Sequence, residues 1–114
     1  MIPEAGDIVW VDLDPVRGTE QAGRRPGIVI TDRSYHEVSR RAVICPITTR
    51  RREWPTEFPL PDGLATRGVV LVDQVRSIDR AERHLRHIEK APAEVLRQVR
   101  GRLAELLRLT DLIT

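Results

Sequence analysis

Two short segments of the sequence concentrate side chains whose chemistry suits a phosphate group. Residues 18–26 form a glycine-containing stretch with one carboxylate, Glu20, and two adjacent arginines, the second of which is Arg25. Residues 48–49 are both threonine, and residues 50–52 are all arginine. An arginine keeps its charge and can donate two parallel hydrogen bonds to a phosphate, while a carboxylate can accept a proton and a hydroxyl can donate a hydrogen bond. Together these segments could bind a polyanion or act on one.

The charge pattern favours such a ligand through clustering rather than through net charge, which is only +2. Of the 19 basic side chains, 18 are arginine and the other is Lys90. Residues 33–52 contain six arginines and one acidic residue, whereas residues 1–23 contain five acidic residues and one arginine. A domain with separated charges can bind a polyanion at modest net charge. A solvated charged surface remains the alternative.

Length and composition indicate one globular domain. The chain has 114 residues, of which 40% are hydrophobic and 32% charged, and domains usually have about 100–150 residues. The single cysteine, Cys45, excludes an intrachain disulfide and favours a reducing compartment. No apolar run approaches the roughly 20 residues that cross a bilayer, and the first residues do not resemble a signal peptide. We therefore expect a soluble, cytoplasmic protein.

The candidate residues must be positioned by short strands. Runs rich in β-forming residues predict strands at residues 7–13, 26–31, 42–49, 56–60, 68–72 and 83–88. Residues 16–25 are predicted to form a loop, residues 32–40 a short helical turn or loop, and residues 61–63 a turn. Pro46 requires that the third strand lie at an edge or carry a bulge. Apolar residues spaced by three and four predict an amphipathic helix over residues 92–109. This pattern predicts a small closed or half-closed barrel with a C-terminal helix.

Four ordered blocks of the sequence resemble the MazF/PemK family, the toxins of bacterial toxin–antitoxin pairs. The blocks are residues 6–15, residues 18–26 (Gly-x-Glu-Gln-x-Gly-x-Arg-Pro), residues 46–49 (Pro-x-Thr-Thr) and residues 73–78 (Asp-Gln-Val-Arg-Ser-Ile). The resemblance implies that residues 1–114 form a single toxin domain of mainly β structure. That domain would be a small SH3-like, CcdB/MazF-like barrel of about five to seven strands with a C-terminal helix. It also implies a homodimer and metal-independent, sequence-selective cleavage of single-stranded RNA, with no cofactor.

The same resemblance aligns Arg25 with the catalytic arginine of the family and Thr48 with its catalytic threonine. If the neighbouring 2′-hydroxyl attacks the phosphate, the products are a 2′,3′-cyclic phosphate and a 5′-hydroxyl. Arg25 would then stabilise the charge on the phosphoryl oxygens and could protonate the leaving oxygen, while Thr48 would donate a hydrogen bond to the phosphate. Glu20 is the carboxylate base available in the same loop. The further RNA-binding candidates are Arg17, Gln21, Arg24, Thr49, Arg50, Arg51 and Gln74.

Ordinary structural roles compete with several of these assignments. The run of residues 50–52 could be a solvated surface, and Trp10 is interpreted as barrel core rather than as a platform for a base. Arg24 stands where another residue such as histidine is often expected, which leaves the substrate preference open. His84 and His87, on a predicted strand, would point to opposite faces, so no metal site is predicted.

Two other functions remain open: a gyrase-binding toxin on the same barrel, like CcdB, and a non-catalytic RNA-binding barrel. CcdB depends on a C-terminal Trp-Gly-Ile, whereas residues 112–114 here are Leu-Ile-Thr, which favours the ribonuclease. The expected partner is an antitoxin whose acidic, partly disordered segment would lie over Arg17, Arg25 and residues 50–52. No membrane partner is expected.

Overall fold

The computed structural model describes residues 2–13 and 23–109, and within them seven strands and two α-helices. In chain order the elements are β1 (Asp7–Asp12), β2 (Arg24–Val29), α1 (Arg33–His36), β3 (Arg41–Thr48), β4 (Glu57–Pro59), β5 (Val69–Leu71), a 3₁₀ turn (Val72–Gln74), β6 (Arg76–Asp79), β7 (Arg86–Lys90) and α2 (Ala93–Leu106). No helix in the described part of the chain is long and apolar enough to cross a membrane.

The strands form one antiparallel sheet in the order β4-β5-β3-β2-β1-β7, and β6 pairs with the first half of β3. The long strand β3 is therefore the centre of the sheet. One of its edges pairs with β2, while the other pairs first with β6 and then with β5. This change of partner lets the sheet curve into a barrel-like form without closing, which confirms the predicted mainly β architecture with a C-terminal helix.

Alternating residues of the central strands pack into two apolar clusters, one on each face of the sheet. Ile8, Ile28 and Cys45 belong to the cluster that α2 covers, whereas the adjacent Val9 and Val29 belong to the second cluster. This arrangement follows from the two-residue period of a β-strand. The face of α2 toward the first cluster carries Val95, Val99 and Leu103. Burial, and secondarily the charge of Asp73, raises the pKa of the Cys45 thiol to about 12, so Cys45 is a small buried apolar residue.

The prediction that Pro46 places the third strand at an edge is wrong, because β3 has partners along both sides, although the pairing on one side is interrupted at Pro46 itself. Pro46 pairs with Gly27 of β2. Along the other edge it lies between Ile44, which ends the pairing with β6, and Ile47, which begins the pairing with β5. Proline lacks an N–H donor, and it is accommodated where one ladder ends before the next begins.

Other strand boundaries differ from the sequence prediction. Strand β2 begins at Arg24, so the last two residues of the predicted loop 16–25 are strand residues; residues 14–22 lie outside the described residues. Strand β6 was not predicted, and the strand expected at residues 83–88 is β7, which begins at Arg86. His84 consequently lies in a turn with a φ of 51° rather than on a strand beside His87.

Candidate active site

A cleft of about 360 Å³ opens where β1, β2 and the end of β3 meet the loop between β4 and β5. Among the described residues that line it, three are arginines and none is acidic, which makes it an electropositive site with an apolar part. The residues that line this cleft are Trp10, Arg24, Arg25, Pro26, Ile47, Thr48, Thr49, Ala65, Thr66, Arg67 and Ile88.

The pairing of β2 with β3 explains how Arg25 and Thr48 come to share the cleft. The register runs from Val29↔Ile44 to Gly27↔Pro46, where the ladder ends. Two residues further along each strand, this register places Arg25 opposite Thr48. The regular ladder between β2 and β3 has ended before this position, and the two residues lie at the mouth of the cleft. Both residues assigned to catalysis by the resemblance therefore line one cleft.

The side chain of Thr48 is held by a hydrogen bond from the backbone two residues further along the chain. Its side chain is buried, and its Oγ1 accepts a hydrogen bond from the backbone N–H of Arg50 at 3.1 Å. Among the described residues no acceptor takes the hydroxyl hydrogen of Thr48. A hydroxyl oxygen that accepts a backbone hydrogen bond can still donate its own hydrogen. Thr48 therefore keeps a hydroxyl hydrogen that it can donate to a ligand.

The interpretation of Trp10 as barrel core is wrong. Its side chain is 38% exposed and lines the cleft, and the guanidinium of Arg24 lies 5.8 Å from the centre of the indole ring. This separation is within the range of a cation–π contact. Trp10 thus presents an aromatic face and an attached positive charge beside Arg25.

A second, much smaller cavity of about 30 Å³, here called the side cavity, shares Thr48 with the cleft. Arg50 and Gln74, which were predicted to bind RNA, also line the side cavity. The acidic residues Glu57 and Asp73 line it as well. Glu57 is buried and accepts hydrogen bonds from the backbone N–H groups of Arg52 and Glu53 at 3.0–3.1 Å. Arginines and acids are balanced here. The full lining is Thr48, Arg50, Arg52, Trp54, Glu57, Leu71, Asp73 and Gln74.

The remaining predicted site residues divide into two groups. Arg24 and Thr49 line the cleft, whereas Arg51 is exposed and lines neither the cleft nor the side cavity. Glu20, Arg17 and Gln21 lie outside the described residues. In the described residues no three histidine, cysteine, aspartate or glutamate side chains gather closely enough to hold a metal ion.

One wall of the cleft, formed by Ala65, Thr66 and Arg67, was not predicted from the sequence. These residues follow the predicted turn at 61–63 and carry no recognisable motif. Their place in the cleft depends on the pairing of β5 with β3, in which Thr48 is opposite Val69. Only knowledge of that pairing would have identified them.

Several known proteins are similar to this chain in sequence and in structure. Residues 4–107 match the family described as PemK-like, MazF-like toxin of type II toxin–antitoxin system. The endoribonuclease toxin MazF of Escherichia coli K12 is 42% identical over 77 residues, which are 68% of each chain. The crystal structure of MazF from Deinococcus radiodurans has a TM-score of 0.89 and 42% identity, covering 94% of this chain and 97% of that one. A MazE–MazF structure from the same organism has a TM-score of 0.82 and 38% identity, covering 94% and 96%.

Proposed function

This chain belongs to the PemK-like and MazF-like toxins of type II toxin–antitoxin systems, and from that premise we propose that the arginine-lined cleft is the active site of an endoribonuclease. Its relatives of known activity are named endoribonucleases. The observation that carries the assignment is the cleft itself, where Arg25 and Thr48 share a site with two further arginines and, among the described residues, no acidic side chain. A site of this charge attracts a phosphodiester chain.

The cleavage chemistry that we propose uses the RNA's own 2′-hydroxyl as the nucleophile. The 2′-oxygen forms a bond to phosphorus as it loses its proton, the bond from phosphorus to the 5′-oxygen breaks, and the 5′-oxygen takes up a proton. The products are a 2′,3′-cyclic phosphate and a 5′-hydroxyl end. No step in this scheme needs a metal-bound water, so we propose that the reaction is metal-independent.

The side chains divide the work of that reaction. Arg25, with its planar fork of donors, stabilises the charge that develops on the phosphoryl oxygens and is the proposed donor to the leaving oxygen. Thr48 donates its hydroxyl hydrogen to the same phosphate. Glu20 is the proposed base that takes the proton from the 2′-hydroxyl. The exposed face of Trp10 lies where an adjacent base can stack.

The protein partner is an antitoxin, since a related MazF from Deinococcus radiodurans has been solved together with MazE. We propose that an acidic segment of the antitoxin places its carboxylates in the cleft, so that antitoxin and RNA compete for Arg25. We also propose that the chain acts in the cytoplasm as a homodimer. Sedimentation at micromolar concentration checks the dimer, and a monomer would contradict it.

RNA cleavage in excess EDTA tests the proposed function most directly. Purified protein is incubated with a mixed-sequence single-stranded RNA. The new ends are identified by sequencing and by their sensitivity to a 2′,3′-cyclic phosphodiesterase. We expect cuts at a short recurring motif that leave 2′,3′-cyclic phosphates, and no cuts with the Arg25→Ala variant. Tight RNA binding without cleavage would support a non-catalytic RNA-binding protein, and cleavage that requires added magnesium would contradict the proposed mechanism.

A further inference from the structure

The loop between β4 and β5, residues 60–68, is anchored directly on the backbone of Thr48. The N–H of Leu60 donates to the carbonyl oxygen of Gly68 at 2.9 Å, which closes the base of the loop. Gly68 has a φ of 120°, and a side chain there would overlap the carbonyl group of Thr48. Glycine is therefore required at this position, both for its backbone conformation and for the close approach. The loop and Thr48 form one rigid unit at the edge of the cleft.

The outer part of this loop is held from another strand by the carboxylate of Glu89 in β7. Glu89 accepts hydrogen bonds from the N–H of Ala65 at 3.1 Å, the N–H of Thr66 at 2.7 Å and the hydroxyl of Thr66 at 2.8 Å. Burial opposes ionisation of Glu89, but the hydrogen bonds from Thr66 and Ala65 prevail and hold the pKa of Glu89 below its usual value. Glu89 is charged at neutral pH, and both of its oxygens are engaged by the loop.

Arg67 follows Thr66 directly and lines the cleft together with Arg25. It is exposed, and it makes no hydrogen bond or ion pair with any of the residues that the structure describes. Several other arginines are engaged by carboxylates, such as Arg33 by Glu37 and Arg40 by Asp79. Arg67 therefore offers an unused guanidinium from a backbone position that two anchors hold in place.

We propose that Arg67 binds a phosphate of the RNA next to the one that is cleaved, and that Glu89 is a positioning residue that holds Arg67 over the cleft. This inference rests on the proposed function, because it names a contact of the same site with the same ligand. Glu89 acts through the loop and not on the RNA, since its oxygens already accept three hydrogen bonds. The two residues therefore affect substrate binding and leave the chemical step unchanged.

Steady-state cleavage of a short fluorogenic RNA tests the role of Arg67. For Arg67→Ala we expect KM to rise about tenfold with kcat nearly unchanged, as for loss of a contact made equally in the ground state and the transition state. The slope of log Kd for a non-cleavable RNA against log salt should fall by about 0.7, the value for one phosphate contact on a single strand. The matched control is Arg33→Ala, which removes the same charge from α1, outside the cleft.

A double-mutant cycle tests whether Glu89 acts through Arg67. Glu89→Ala should raise KM by an amount similar to Arg67→Ala, and adding Arg67→Ala in the Glu89→Ala background should then change KM little. Glu89→Gln retains one acceptor oxygen and should lie between the wild type and Glu89→Ala. If Glu89→Ala does not fold, Thr66→Val, which removes one of the three hydrogen bonds, takes its place in the cycle.

The outcomes separate this inference from the proposed function. A wild-type protein that does not cleave RNA would contradict the proposed function itself. If the wild type cleaves and Arg25→Ala does not, but Arg67→Ala behaves like Arg33→Ala in KM and salt slope, only the role of Arg67 is overturned. If Glu89→Ala lowers the unfolding temperature but leaves KM unchanged below it, or if its effect adds fully to that of Arg67→Ala, Glu89 is not a positioning residue.

Discussion

The cleft and the side cavity lie on either side of Thr48, yet they differ in charge and in size. The cleft has a volume of about 360 Å³ and three arginines with no acid, whereas the side cavity has a volume of about 30 Å³ and pairs two arginines with two acids. The large cavity has no acidic residue among the described residues of its lining, so it can attract a polyanion. The small cavity contains as many acidic residues as arginines.

This difference bears on how the arginine run at residues 50–52 is interpreted. Adjacent arginines suggest a phosphate-binding strip, but the residues that follow return the chain to Glu57, whose carboxylate binds the backbone of Arg52 and Glu53. The side chain of Arg52 stacks on Trp54, with the guanidinium 5.5 Å from the ring centre. Part of this run therefore stabilises the structure around Thr48, which favours the cleft as the proposed site.

Loss of Arg25 should have the largest effect, because it removes the donor fork from the cleft. We expect Arg25→Ala to lower kcat by at least about 1,000-fold, and Arg25→Lys to restore only part of the rate because a point charge lacks the bidentate geometry. Circular dichroism should show an intact fold, and Arg33→Ala should cleave normally. Wild-type cleavage by Arg25→Ala would place the reaction elsewhere.

Thr48 connects the two cavities, and we expect an intermediate effect from its loss. Thr48→Ala should reduce kcat by roughly 10- to 1,000-fold, as for removal of one oriented donor at a developing charge. Thr48→Ser keeps both the donor and the acceptor for the N–H of Arg50 and should retain most activity. Full activity of Thr48→Ala, measured in single-turnover experiments, would contradict the assignment.

Glu57 tests the side cavity as a structural element. Glu57→Ala leaves the N–H groups of Arg52 and Glu53 without their acceptor and should lower the free energy of unfolding by about 1–3 kcal/mol. Denaturant unfolding measures this loss. The folded variant should cleave RNA at close to the wild-type rate at temperatures well below its unfolding transition, and a loss of kcat with unchanged stability would mean that the side cavity belongs to the active site.

We expect the smallest effect when the exposed arginines at residues 50 and 51 are replaced. Replacing Arg50 and Arg51 together by alanine should reduce the slope of log Kd against log salt by no more than about 1.4, which corresponds to two phosphate contacts on a single strand. The matched comparison is the cleft pair Arg24 and Arg67, whose double replacement should reduce the slope more. An unchanged slope in the first variant would identify Arg50 and Arg51 as solvated surface.

The central strands could be predicted because their apolar residues have the pattern of strands buried on both faces. Strands β1 and β3 end within one residue of their predicted limits. Strand β6 escaped prediction because Ile78 is its only apolar residue; Arg41, whose Nε donates to the hydroxyl of Ser77 at 2.8 Å, helps to hold it against β3. Such a contact between distant segments leaves no mark on local sequence.

Arg25 and Thr48 could be singled out from the sequence because they lie in recognisable blocks, and their catalytic roles stay predictions. Trp10 was misassigned because a large apolar residue between two buried valines is usually buried as well. It is 38% exposed because it lines the cleft, where its indole ring contacts the guanidinium of Arg24. Glu89 and Arg67 could not be predicted, because their roles depend on how β7 meets a loop 23 residues away in sequence.

The placement of the two tryptophans gives the molecule its own optical probes. The sequence contains two tryptophans, and one lines the cleft while the other lines the side cavity, each partly exposed with an arginine stacked on its indole. Replacing Trp54 by phenylalanine would leave an emission spectrum that arises from the cleft alone, and replacing Trp10 would leave one from the side cavity. A titration with RNA or antitoxin could then be followed at each location without attaching a dye.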